Sequence, residues 1–479
     1  MKTLVSLIVL LTLCFAAFTS GQTAVTVYPA LTEVSYSYFG SGARAMAMGS
    51  AFVGVANDVN GGTWNPAGIW VLEDPMVSGS YNMFRPNGEF THSMTPLKTK
   101  NSISMNSIGH FSFITPIRIK SHPWVFNFNY LRNNEQSVRA DYASDNFNST
   151  QDDRVYLKTY NFGMSTRLYK KLSFGFLINV YDGGRVFKTT NTSSASVIID
   201  PVNNISVDYV FDAIKLDSVK ASGVNFTLGT MYKMDKVSIG AVLRTPFEMK
   251  NNTDVGRYRV TTRNGQPLID DSDTVYVVDS LTKQEIPLSL AFGIGVQPND
   301  KLTIALDANY QKYGSVKWSY LESTMITAGG DREDTYQQVP IDWNNTFGIG
   351  GGIEYKINTP IGLMPLRAGL RYNQLPQPKD YTITNGFEVN EQDELTGWYR
   401  TTYSSEGRQS ETQITFGTGV HWSQLEIDFA YRITSGADLT IISETFFEKE
   451  GETPISGPGS TQVVETKTNE FNISIIGHF

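Results

Sequence analysis

Segments that alternate apolar and polar residues follow one another in pairs across very short turns, and long polar stretches separate the pairs. That rhythm leaves few folds open. A soluble sandwich has no reason to keep all its long loops at one end, whereas an outer-membrane β-barrel keeps short turns on the periplasmic side and long loops outside. The expected fold is therefore all-β, a 14-stranded antiparallel transmembrane barrel with both termini in the periplasm.

The alternation is cleanest where both faces can be read. In the run Leu302 to Tyr310, Leu302, Ile304, Leu306 and Tyr310 share one face, and Thr303, Asp307 and Asn309 share the other. One side suits lipid and the other water. Leu425 to Ile433 places Glu426, Asp428 and Arg432 on the inner face, charges that a packed soluble core would rarely accept. Leu366 to Tyr372 repeats the pattern. Strands are expected near 76–84, 105–115, 123–132, 158–169, 171–188, 221–233, 236–249, 286–297, 301–313, 341–356, 364–374, 410–422, 424–436 and 468–479. Short turns at Tyr169-Lys170-Lys171, Met234-Asp235, Pro298-Asn299-Asp300 and Ser423 all follow even-numbered strands. The long connections, 85–104, 133–157, 189–220, 250–285, 314–340, 375–409 and 437–467, fall at the opposite end and are expected as exposed loops.

Composition supports this reading indirectly. Hydrophobic residues make up 40% of the chain and mean hydropathy is slightly negative, because barrel strands give only every second residue to lipid. The 12% aromatic share suits the girdles at barrel interfaces. A net charge of −8 argues against nucleic acid, which needs a basic face. No segment is a run of uninterrupted apolar residues long enough for a membrane helix.

Residues 1–21 read as a signal peptide: Lys2 is the charged start, Leu4 to Leu13 the apolar core, and Ala16 to Gly21 small residues at a cleavage point. Cys14, the single cysteine, lies in that core behind the large Leu13, which disfavours lipid attachment; the mature chain is then without a thiol. Residues 22–75 carry no strand pattern. From Ser41 to Asp58 and again from Gly61 to Gly68 small residues dominate, as a compact plug inside a barrel would need for close backbone approach. Asn65 before Pro66 favours a turn, and Arg44 and Asp58 have opposite charges that could latch the plug to the wall or to one another. Residues 76–479 form the barrel.

The stretch from Gly42 to Gly68, closing on Asn65-Pro66-Ala67, resembles the N-terminal hatch of the FadL/TodX family of outer-membrane hydrocarbon transporters. Ile239 to Phe247, Ile286 to Leu302, Asp342-Trp343 before a glycine-rich strand, and Leu366 to Tyr372 are similar to that family too. The resemblance implies a plugged barrel that admits long-chain fatty acids or other hydrophobic compounds passively. Ligand would be caught by outer loops, passed to a pocket beside the hatch and released sideways. A PorV-like barrel serving protein secretion or scaffolding, whose members share a Gly-Ala-Arg opening and a Trp-Asn-Pro-Ala closing, is the alternative. Implied partners are outer-membrane lipid and lipopolysaccharide, a hydrophobic small molecule and the outer-membrane assembly machinery, to which the terminal Phe479 fits; a monomer is expected.

No enzyme, cofactor or metal is expected. The five histidines, His92, His110, His122, His421 and His478, show no ligand spacing, and no serine sits in a nucleophile elbow. Gly348, Gly350, Gly351 and Gly352 match a phosphate loop only in glycine content, and on a strand they leave space for a plug or allow a bend. A carboxylate ligand would call for inward arginines, and alternation nominates Arg244, Arg367, Arg371 and Arg432. Their competing role is to pair with Glu354, Glu426 or Asp428 in lumenal ion networks.

Overall fold

The computed structural model describes residues 40–87, 98–103, 105–120, 122–144, 147–200, 205–263, 266–271, 282–326, 332–340, 343–377, 380–388, 396–405, 409–436, 439–448, 455–456, 460–464 and 467–479. The expected signal peptide and the first part of the expected hatch lie outside the described residues.

Fourteen strands close into one antiparallel barrel. They are β1 Met76–Asn87, β2 Met105–Ile119, β3 His122–Ser144, β4 Phe147–Tyr169, β5 Leu172–Asp200, β6 Ile205–Lys233 and β7 Val237–Arg244. Then follow β8 Ser289–Asn299, β9 Leu302–Gln311, β10 Thr346–Thr359, β11 Gly362–Gln374, β12 Ser410–His421, β13 Leu425–Gly436 and β14 Lys467–His478. Each pairs with its sequence neighbour, and β14 returns to β1 in continuous register from Met76↔His478 to Asn87↔Lys467. No sheet edge is left in the wall, which a lipid environment requires. No helix among the described residues is long and apolar enough to cross a membrane.

The alternation sorts the side chains as a lipid-embedded barrel must. On β9, Ile304, Leu306 and Tyr310 face out while Thr303, Asp307 and Asn309 are buried in the lumen. Leu366, Leu370 and Tyr372 of β11 face out and Arg367 and Arg371 inward. The tight turns β4–β5, β6–β7, β8–β9 and β12–β13 sit at one end, together with Phe479, whose amide donates to Pro75 O at 3.0 Å.

At the other end the structure departs from expectation. Much of 133–157, 189–220 and 250–285 is not loop: β3 to β6 run on as paired ribbons, with Ser144 facing Phe147 and Asp200 facing Ile205. Parts of 375–409 and 437–467 form a separate sheet in which Thr396–Ser405 lies between Asp380–Glu388 and Leu439–Glu448. Ribbons rich in Thr, Ser and Asn can satisfy their backbones by pairing without a lipid-facing stripe. The hydrophobic signal used to bound the strands ends where lipid ends, before the pairing does.

Strand β7 stops at Arg244, and after Thr245-Pro246 the chain resumes as Phe247–Arg263. The neighbouring strand is interrupted at the same height, where Pro287-Leu288 separates Thr282–Ile286 from β8. Two prolines without an N–H therefore face each other in the wall.

Candidate functional site

Residues 43–72 fill the lumen as a plug. A short helix, α1 Ala43–Ala47, begins after Gly42, whose φ of 101° is the left-handed region. Ala43 and Ala47 pack with Met46 against Ala430 of β13, and the Ala43 amide donates to Ser474 Oγ at 2.8 Å. Gly49, at φ 65°, turns the chain back, with its amide 3.0 Å from Thr415 Oγ1. Asp307 of β9 then accepts from two plug amides, Phe52 at 2.6 Å and Val53 at 2.7 Å, through a single carboxylate oxygen.

Of the four expected glycines, all on β10, Gly350 and Gly352 have the first of the roles expected of them. A Cβ at Gly352 would lie 2.6 Å from Met48 Cα, and one at Gly350 2.7 Å from Gly49 O. The wall there touches plug backbone, and only glycine leaves room.

The turn at Asn65-Pro66-Ala67 is fixed from both sides. Asn65 Oδ1 accepts from the Ala67 amide at 3.0 Å, and Asn65 Nδ2 donates to Val53 O within the plug and Thr230 O of the wall, at 3.0 and 3.1 Å. Pro66 lies against Gly229, and Ala67 O accepts from Ser173 Oγ at 2.8 Å.

Arg44 and Asp58 are not a solvated pair. Arg44 meets Asp58 at 3.2 Å and grips Glu354 of β10 with Nε and Nη2, at 2.9 and 3.0 Å. Glu354 is in turn 2.6 Å from Arg367, which reaches Asp428 at 2.6 Å. Burial opposes the Arg44 charge, but Glu354 and then Asp58 outweigh it and raise its pKa. Burial likewise pushes the Asp58 carboxyl above its ordinary range, against the pull of Arg44. The plug is thus latched to the wall by a buried run of alternating charges, which requires each member to keep its partner.

The four lumenal arginines divide into two pairs. Arg367 belongs to the latch; Arg371 bonds Asn373, Asn309 and, at 3.3 Å, the plug carbonyl of Ser50. Arg244 and Arg432 instead line a cavity of about 170 Å³ between the plug and the wall. Arg244 donates to Thr63 O at 3.0 Å, and Arg432 pairs with Glu470.

The cavity differs from the greasy pocket that an apolar ligand calls for. Much of its lining is polar: Ser80, Asn82, Asn161, Asn179, Asn225 and Thr227. Asn179 donates to Asn225 Oδ1 and Thr227 Oγ1 at 2.7 and 2.8 Å, a ladder running across adjacent strands. Its apolar share comes from Trp64, Met46, Leu131, Leu157, Leu177 and Ile286. Leu157 and Ile286 continue into an apolar cluster with Val155, Ala221 and Met249, flanked by Tyr181 stacked on Phe247 at 4.7 Å. That cluster adjoins the Pro246–Pro287 break. The ladder was hidden in the sequence because each Asn lies on a different strand, where it reads as ordinary lumenal polarity.

The histidines are placed individually. His110 is buried between Ser78 Oγ and Ser80 Oγ, His122 is bonded to Arg167 O, and His421 and His478 sit at the short-turn end; His92 lies outside the described residues.

A closed barrel with its lumen filled by its own N-terminal segment and a small chamber beside that plug is a plugged outer-membrane barrel. The chain belongs to the outer membrane protein transport family (OMPP1/FadL/TodX), whose model matches residues 21–395. It shares its fold with the toluene transporter TbuX of Ralstonia pickettii, at 13% identity over 93% of this chain and 100% of that one, with a TM-score of 0.52. A Pseudomonas aeruginosa FadL homologue gives 13% identity, 92% and 99% coverage and a TM-score of 0.55. The Pseudomonas putida toluene transporter TodX gives 15%, 92%, 98% and 0.52. A search of curated protein sequences finds no match.

Proposed function

We propose that this barrel admits amphiphilic hydrophobic molecules, long-chain fatty acids foremost, across the outer membrane by passive diffusion past its plug. The observation that carries the reading is the mixed chamber beside the plug, whose lining includes the charged Arg244 and Arg432 as well as Leu157, Leu177 and Ile286. Its volume is close to the roughly 150 Å³ of an engineered cavity that holds benzene, but that cavity is dry and wholly apolar. A lining of Asn, Ser and Thr favours a molecule with a polar head over a bare hydrocarbon, since buried amides left without partners penalise apolar contents. A carboxylate head meeting Arg244 or Arg432, with the first carbons of its tail on the apolar lining, uses both kinds of surface.

The apolar cluster around Met249 and Phe247 offers the tail a path to the paired proline break, and we assign the lateral exit to that break. Uptake of labelled long-chain fatty acid, and separately of toluene, by cells with and without the protein tests the reading. Protein-dependent uptake of the acid is expected to exceed that of toluene; equal uptake with and without the protein for every hydrophobic compound would refute it.

A further inference from the structure

Barrel closure gathers histidines that the sequence keeps apart. The tight β12–β13 turn sets His421 opposite Glu426, with Asp428 two residues on, and β14 lies against β13 so that His478 reaches Glu426. His421 Nε2 is 2.9 Å from Asp428 Oδ1, His421 Nδ1 is 3.6 Å from Glu426 Oε2, and His478 Nε2 is 3.0 Å from Glu426 Oε1. One donor atom from each of His421, Glu426 and Asp428 lies within 4.8 Å of the other two.

A second observation is independent of that proximity. The Asp428 side chain is 1% exposed, and Arg367 and His421 both address its Oδ1. Its other oxygen, Oδ2, is buried without a hydrogen-bond partner. A buried carboxylate oxygen left unmatched is costly and calls for a ligand.

We propose that His421, Glu426 and Asp428, with His478 beside Glu426, form a binding site for one divalent transition metal ion, zinc by preference, at the short-turn end of the barrel. One imidazole nitrogen and two carboxylate oxygens make a three-residue donor set that zinc accepts, with its fourth tetrahedral position left to water. Bonds of about 2.0–2.1 Å place tetrahedral donors roughly 3.3 Å apart, and the donors of His421, Glu426 and Asp428, within 4.8 Å of one another, can close to that spacing by side-chain rotation. Asp428 can offer Oδ2 to the ion while Oδ1 keeps Arg367, and the two carboxylates balance the ion's charge. Magnesium and calcium prefer larger all-oxygen shells and are disfavoured by the imidazoles. Entry is open, since the side chains of His421, Glu426 and His478 are 12, 23 and 27% exposed. Through Asp428 and Arg367 the site adjoins the Glu354–Arg44 latch, so an ion here would brace the floor on which the plug is held.

The test is zinc titration of the intact barrel, purified without a histidine tag and stripped with chelator, by calorimetry and by competition with a chromogenic zinc indicator. One saturable zinc per chain is expected, undisturbed by excess magnesium. The double variant His421→Ala/His478→Ala should lose far more than the about tenfold that removing an outer-shell partner costs, while His122→Ala binds as the unaltered protein does. Zinc binding unchanged in the double variant, or no saturable binding by the unaltered protein, overturns the proposal. Should the double variant fail to give a folded barrel, cobalt titration of the unaltered protein decides: strong visible bands of a tetrahedral nitrogen and oxygen site support it, and only weak octahedral bands refute it.

Discussion

At the scale of single residues, the lumenal charges do two jobs that alternation along a strand cannot tell apart. Arg367 points inward just as Arg432 does, yet Arg367 is held between Glu354 and Asp428 whereas Arg432 lines the chamber. Replacing Arg244 and Arg432 together by Gln should lower uptake of a long-chain carboxylate about tenfold or more, the worth of one to two charge-assisted hydrogen bonds, and leave uptake of an uncharged hydrocarbon nearly unchanged. A parallel fall for both substrates would mean the arginines only hold the plug. Glu354→Gln asks the opposite question, because Glu354 is shared by Arg44 and Arg367. Removing its charge takes one carboxylate partner from each guanidinium while Asp58 and Asp428 stay in place, and should destabilise the seated plug by about 1.5–3 kcal/mol. Hydrogen exchange should then speed up across residues 43–58 while the wall strands keep their protection.

At the scale of the element, the strand count and the inward and outward faces were legible because lipid imposes a period of two on every wall strand. The glycine-rich run of β10 was legible too, since plug backbone at Met48 and Gly49 excludes any side chain there. Three features were not. The ribbons above the membrane show no apolar stripe, the Asn ladder is spread over separate strands, and His478 joins His421 at Glu426 only after β14 pairs with β13. The interruptions at Pro246 and Pro287 fall inside the expected strands 236–249 and 286–297 and become one feature only through strand pairing. Replacing both by Thr restores two backbone donors to the wall. If molecules leave through this break, the double variant should transport more slowly, at unchanged expression and with equal or greater thermal stability; uptake equal to that of the unaltered protein would place the exit elsewhere.

At the scale of the whole molecule, the barrel and the plug differ in what each needs from the other. The wall closes on itself through unbroken β1–β14 register, so its backbone hydrogen bonds do not depend on the plug. Among the described residues the plug has the five-residue α1, two short 3-10 helices and turns, and its buried core includes Met48, Phe52, Val53 and Trp64, which are covered by wall residues such as Met231, Val242, Ala291 and Ala305. If it were removed, Asp307, Glu354, Arg367 and Arg371 would regain water, and charges that are costly when buried unpaired are tolerated in a wet lumen. Deleting Thr23 to Glu73 is therefore expected to leave a barrel that inserts and keeps its heat-modifiable mobility in gels. The same deletion should open an aqueous path, raising single-channel conductance and sensitivity to hydrophilic antibiotics while lowering selective uptake of amphiphiles, because the chamber loses its Trp64 and Thr63 side. A truncated chain that fails to insert would show instead that the plug is a folding core for the barrel and not its gate.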